Sequence, residues 1–72
     1  MLMRKFRAYD DNHAYTIRVQ GHTAWMTGAF SHNVIIDDDE DNRRIVDTYV
    51  FCCEDAEEAA LHVCGELGLT LA

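Results

Sequence analysis

Residues 44–68, RIVDTYVFCCEDAEEAALHVCGELG, decide the fold of this chain, because a strand pattern changes into a helix pattern within them. Residues 44–53 are rich in β-branched and aromatic side chains, among them Ile45 and Tyr49, which favour a strand. Apolar residues fall on both faces of this strand, which is typical of a strand inside a sheet. The sequence therefore predicts a central strand over residues 44–53.

A helix follows this strand directly. Asp55 is placed as its N-cap, and Glu58, three residues later, completes the capping-box pattern. Gly68 has the position of the glycine that ends many helices in a left-handed conformation. One apolar stripe recurs at helical spacing between these caps. Its members are Ala56, Ala60, Val63, Cys64 and Leu67.

The sequence before residue 44 has the alternation and turn residues of further strands. Residues 2–9 and 13–20 alternate apolar and polar side chains on either side of an Asp-Asp-Asn turn, which predicts a hairpin. Gly21 marks a second turn. Residues 23–30 are ambiguous, and residues 34–36 favour a β segment, so that residues 22–37 form either one bent strand or two.

These elements predict one α+β domain over residues 1–72: an antiparallel sheet of three to four strands with one C-terminal helix packed on one face. Residues 69–71 add a short edge strand or pack under the helix. The face that carries Tyr15, Ile17 and Val19 is expected to meet the helix. The opposite face is then uncovered, and if it includes Val46 and Val50 it has an exposed apolar patch, which is typical of a dimer interface.

Residues 37–41 are five consecutive acidic residues, which we call the acidic run, and they divide the charge of the chain into two unlike halves. Residues 1–36 have four basic and two acidic side chains, which gives +4 − 2 = +2, and residues 37–72 have two basic and eleven acidic ones, which gives +2 − 11 = −9. The run lies between two β segments, so we expect a loop held in place by the fold. It is either a solvated loop or a docking surface that resembles a row of phosphates. Its members are Asp37, Asp38, Asp39, Glu40 and Asp41.

Metal and catalytic chemistry are poorly matched by the sequence. Asp37, Asp39 and Asp41 have the spacing of the first EF-hand ligands, but Asn42 and Thr48 stand where glycine and a bidentate glutamate are required. The histidines and the three cysteines have no zinc-ligand spacing. Acidic neighbours disfavour a thiolate at the cysteine before the helix. We therefore expect no metal, no cofactor and no enzymatic activity.

A second contact surface is expected in the least regular segment of the chain. Trp25, Met26 and Phe30 are large apolar residues there, and tryptophan and methionine are enriched at protein interfaces. At least one of the three is expected in the core.

The net charge of −7 disfavours nucleic acid and anionic membranes as direct ligands and favours a basic protein partner. The charged N-terminal residues and the odd number of cysteines favour a cytoplasmic protein. In size, charge and lack of catalytic motifs, the chain is similar in kind to small phage or mobile-element inhibitors such as anti-CRISPR proteins and DNA mimics. The sequence thus predicts an inhibitor that docks on a nucleic-acid-binding protein or complex. The alternatives are a structural homodimer or assembly subunit and, third, a metal-linked regulator.

Overall fold

The computed structural model describes residues 3–23, 30–51 and 53–72, with the backbone alone at residues 22, 23 and 30. It contains a five-stranded antiparallel sheet and one C-terminal helix, which confirms the α+β class. The fifth strand is the short segment after the helix. The elements are β1 (Met3–Tyr9), β2 (Ala14–Thr23), β3 (Phe30–Asp38), β4 (Arg43–Val50), α1 (Ala56–Leu67) and β5 (Thr70–Leu71).

The first four strands form a meander, and β5 pairs with the outer side of β1, so that the strand order is β4-β3-β2-β1-β5. Within residues 22–37, the described residues 22–23 and 30–37 belong to two strands, because β2 ends at Thr23 and β3 begins at Phe30, its register partner. The expected turn at Gly21 is wrong. Gly21 lies within β2, opposite His32. A Cβ at this position would lie 3.6 Å from the His32 imidazole, which is an ordinary contact, so no close approach requires glycine here.

The core lies between the helix and one face of the sheet. Ile17 and Val19 of β2 and Val34 and Ile36 of β3 are fully buried. They pack with the buried face of α1, as the sequence predicted for β2. The buried part of α1 consists of Ala59, Ala60, Val63 and Cys64. Leu67, which was expected in the stripe, is 46% exposed because it ends the helix where the chain turns toward β5.

Both predicted caps of α1 are confirmed. The Asp55 carboxylate accepts a hydrogen bond from the Glu58 N–H at 2.8 Å, and the Glu58 carboxylate accepts one from the Glu54 N–H at 3.2 Å. Gly68 has φ 73° and donates its N–H to the Cys64 carbonyl. In the part of the chain that the structure describes, no helix is long and apolar enough to cross a membrane.

The predicted central position of β4 is wrong, because β4 lies at one edge of the sheet and β2 at its centre. Val46 and Val50 lie on the helix side, where Val50 is buried and Val46 packs against the core. Ile45 and Tyr49 are instead exposed, at 39% and 56%. The apolar residues on the two faces of β4 therefore have different environments, which periodicity alone does not distinguish.

Candidate functional site

The acidic run is split between a strand and a turn. Asp37 and Asp38 are the last residues of β3, and residues 39–42 form the turn into β4. Asn42 closes this turn with φ 56°, a left-handed conformation that asparagine tolerates better than most residues. The expected loop is therefore shorter than the run. The strand alternation also sends neighbouring carboxylates to opposite faces of the sheet.

Asp38 is directed toward the helix side and is buried, with 4% of the residue exposed. Its Oδ2 lies 2.6 Å from Nδ1 of His13, and its Oδ1 accepts the backbone N–H groups of Glu40 and Asp41 at 2.9 and 3.2 Å. Burial alone would raise the pKa of Asp38, but these hydrogen bonds outweigh it and hold the pKa below its usual 3.8. Asp38 therefore fixes the turn from inside.

His13 is the partner of Asp38 and has a positive charge in this pair when its imidazole is protonated. The hydrogen bond to Asp38 raises the pKa of His13 above its ordinary 6.5, although partial burial opposes the shift. The charges of Asp38, Glu40 and Asp41 add to the increase. A backbone hydrogen bond also joins the turn after β3 to the start of β2, because the Asp39 N–H donates to the Ala14 carbonyl at 3.1 Å.

Asp37 lies on the open face of the sheet between two arginines. Arg18 Nη2 donates to Asp37 Oδ2 at 2.8 Å, and Arg44 Nε donates to Oδ1 at 3.1 Å. The side chains of Arg18 and Asp37 are each about 30% exposed (31% and 29%), so solvent partly screens this interaction. Both oxygens of Asp37 thus have cationic partners within the chain.

Asp39 is also held within the chain. Its Oδ1 accepts a hydrogen bond from the Thr16 hydroxyl at 2.8 Å, and its Oδ2 lies 3.4 Å from Nη2 of Arg7. Because Arg7 is largely exposed, this ion pair is weak. With it, all of Asp37, Asp38 and Asp39 have intramolecular partners.

Glu40 and Asp41 differ from the first three residues of the run. Both are exposed at the tip of the turn. Their side chains make no hydrogen bond or ion pair with any residue that the structure describes. Their backbone N–H groups are nevertheless bound to Asp38. The fold therefore presents two solvated carboxylates on a fixed backbone.

The turn between β1 and β2 adds further acidic residues at the same end of the sheet. The Asp10 carboxylate accepts the N–H groups of Asn12 and His13 at 2.8 and 2.7 Å and the Tyr15 hydroxyl at 2.8 Å. These hydrogen bonds lower the pKa of Asp10, with the His13 N–H first. Asp11, beside it, is exposed. We call residues 10–12 and 39–42 together the acidic turns.

Tyr15 shows how closely the acidic turns approach each other. Its hydrogen bond to Asp10, its burial and the charges of Asp10, Asp38 and Asp41 together raise its pKa to about 12. One hydroxyl therefore senses carboxylates from both turns. Sequence reasoning identified the turn at residues 10–12 but did not assign its charge to the site. The available signal was the meander itself, since the first and third turns of consecutive hairpins lie at the same end of a sheet.

The structure also brings potential metal ligands together at this place. Ligand atoms of His13, Asp38 and Asp41 lie within 4.8 Å of one another. The EF-hand-like set is not assembled in this way, because Asp37 and Asp39 point to arginines on the open face. The imidazole and the Asp38 carboxylate already satisfy each other, so a cation would have to compete with that hydrogen bond.

The open face of the sheet forms a broad groove of about 550 Å³ with mixed charge. Lys5, Arg18 and Arg44 line it together with Asp37 and Asp39. Because the two arginines are engaged with Asp37, most of the charge in this groove is compensated within the chain. The groove is therefore a weaker candidate for a charged ligand than the acidic turns.

The second predicted contact surface cannot be placed at this site. Trp25 and Met26 lie outside the described residues, as does the side chain of Phe30.

Both cysteines that the structure describes are buried. Cys53, the cysteine before the helix, is 7% exposed, and Cys64 is 2% exposed. Burial also raises the pKa of the Cys64 thiol.

In comparisons with known proteins, no family model, no curated protein and no solved structure matches this chain.

Proposed function

We propose that this protein is a non-enzymatic, cytoplasmic inhibitor that docks its acidic turns on the basic surface of a nucleic-acid-binding protein or complex. The observation that carries the proposal is the division of the acidic run. Its first three carboxylates have partners within the chain, and Asp38 among them holds the turn, while Glu40 and Asp41 are exposed at the tip on a fixed backbone. Asp11 adds a third exposed carboxylate from the neighbouring turn.

This arrangement suits recognition of lysine and arginine side chains. A basic site built for phosphates attracts fixed carboxylates by the same long-range electrostatics. The hydrogen bonds of Asp38 order the turn before binding, so less conformational entropy is lost when a partner is bound. An acidic surface of this kind can occupy a basic site and exclude its nucleic acid, which is the principle of a DNA mimic.

The experiment is affinity capture on the immobilised protein from the heparin-binding fraction of a cell lysate, which is enriched in basic nucleic-acid-binding proteins. We expect identified nucleic-acid-binding proteins to be retained at low salt and released at about 1 M salt, where the screening length is about 3 Å. Added duplex DNA should displace them. The Glu40→Gln/Asp41→Asn variant should retain much less of the same proteins. Equal retention by this variant, or retention that DNA does not reduce, would contradict the proposal.

The second candidate function, a structural homodimer or assembly subunit, is favoured by a different observation. The exposed apolar side chains of β4 lie at a sheet edge, away from the strand face that carries the core. This surface leads to a separate inference.

A further inference from the structure

The two edges of the sheet differ in length and in chemistry. The β5 edge is a strand of two residues, and short edge strands protect a sheet against further pairing. The β4 edge has eight residues. Ile45, Tyr49 and Phe51, at 39%, 56% and 66% exposure, are three of the seven large apolar side chains found exposed in the described chain. Exposed apolar side chains on a long edge strand favour the addition of another strand.

We infer that a second copy of this chain pairs with β4, antiparallel and about a two-fold axis at Thr48. In this register Ile45 lies opposite Phe51 of the second copy, and Asp47 lies opposite Tyr49. The regular paired segment runs from Val46 to Val50. The β-bulge at Ile45, where Ile36 pairs with Val46 and Asp37 with Arg44, ends it on one side.

Charge and side-chain contact select this register over its neighbours. Moving the axis to Asp47 would place the two Asp47 carboxylates directly opposite each other, which is destabilising. Moving it to Tyr49 would place Ile45 opposite Cys53, whose side chain is buried, and so leave Ile45 without an exposed apolar partner. The axis at Thr48 avoids both costs and joins the exposed apolar side chains of the two copies.

The charges at the ends of β4 identify the partner as a second copy in this orientation. Arg43 and Arg44 begin the strand, and four acidic residues, Glu54, Asp55, Glu57 and Glu58, lie just beyond its other end. A two-fold axis brings residue i of one copy against residue j of the other and the reverse. With the axis at Thr48, Arg43 lies next to Glu54 of the second copy at both ends of the interface. The strand edge is therefore complementary to itself, whereas a parallel arrangement would bring like charges together.

A charge-exchange experiment tests this inference. The variants are Arg43→Glu, Glu54→Lys and the double variant, and the readout is sedimentation equilibrium over a range of protein concentrations. Each single reversal places like charges at both ends of the interface, so we expect the dimer to weaken roughly tenfold or more. The double variant exchanges the charges and should restore association. The eight residues of β4 alone span roughly 25 Å, so the rescue cannot come from a contact within one copy.

Thermal melting of the three variants serves as the folding control, since Arg43 and Glu54 are both exposed. A second measurement reads the register directly. Oxidation of a Thr48→Cys variant should give a disulfide-linked dimer, and Asp47→Cys should not, each compared with the wild-type protein under the same oxidant. A wild-type protein that is monomeric at all concentrations, single reversals without effect, or a double variant without rescue would each overturn the inference. Cross-linking at position 47 in place of 48 would overturn the register.

Discussion

The inner and outer parts of the acidic run are alike in sequence and unlike in structure. Asp37, Asp38 and Asp39 bind arginines, a histidine, a threonine and two backbone N–H groups. Glu40 and Asp41 lie at the tip with exposed carboxylates. The difference shows that the total charge of such a run overstates what a partner can contact. The inner residues contribute to the folded state, and the outer residues are the ones left for binding.

The largest expected effect comes from substituting the inner residue that is buried. Asp38→Ala removes the acceptor of two backbone N–H groups and leaves His13 without its carboxylate. Loss of such a network is among the strongly destabilising mechanisms, and the melting temperature should fall by several degrees. Asp41→Ala is the matched control from the outer part and should melt like the wild-type protein. Equal melting temperatures for the two variants would remove the distinction between the two parts.

The second effect is a pH dependence of the interaction between His13 and Asp38. Because the folded-state pKa of His13 is raised above 6.5, the stability that His13 contributes is fully present below pH 6.5 and is lost as the pH rises through the folded pKa. Because the pKa of Asp38 is lowered, its contribution is present above pH 3.8 and is lost as the pH falls through the folded pKa. Melting temperatures should therefore decline above pH 6.5 in the wild-type protein. His13→Gln should flatten this decline, and an unchanged decline would contradict the assignment.

The helix offers the same comparison at a smaller scale. Asp55 is its N-cap, and Asp55→Ala should reduce the free energy of unfolding by about 1 kcal/mol. Glu57, in the first turn of α1, makes no hydrogen bond with the described residues, and Glu57→Gln should change it by less than about 0.5 kcal/mol. Denaturant titration of both variants measures this difference. If Glu57→Gln reduced the free energy of unfolding as much as Asp55→Ala, the N-cap position would not determine how strongly these acidic residues stabilise the helix.

The smallest effect is expected at the partly exposed ion pairs of the open face. Asp37→Asn removes the negative charge between Arg18 and Arg44 but retains an oxygen that accepts a hydrogen bond. Exposed pairs contribute about 0–1 kcal/mol, so the denaturant midpoint should move only slightly, and less at high salt. A loss larger than that of Asp38→Ala would reverse the order proposed for the inner residues.

Local chemistry made part of this structure predictable. The helix and both its caps follow from Asp55, Glu58 and Gly68, since capping depends on residues three or four positions apart. The alternation in residues 13–20 likewise predicted the buried face of β2, with Ile17 fully buried. These features depend on neighbours in sequence.

The remaining features depend on strand order and register. Apolar residues on both faces of β4 favour a central strand, but β4 lies at the edge of the sheet. The alternation of side chains within a strand reports the environment of its two faces and does not show which strands lie beside it. The pairing of His13 with Asp38 joins residues 25 positions apart and becomes visible only when β2 and β3 are aligned. The sequence therefore identifies the acidic run but does not predict which of its residues have partners within the chain and which are exposed.

The most direct test of the proposed function compares two variants of equal charge. Glu40→Gln/Asp41→Asn removes two charges from the acidic turns, and Glu57→Gln/Glu66→Gln removes two from the helix, so that each has −7 + 2 = −5. The measurement is the association rate of each with a nucleic-acid-binding protein captured by the wild-type protein. We predict a roughly tenfold slower rate for the turn variant and a near wild-type rate for the helix variant. Equal rates for the two variants would contradict the assignment of binding to the acidic turns.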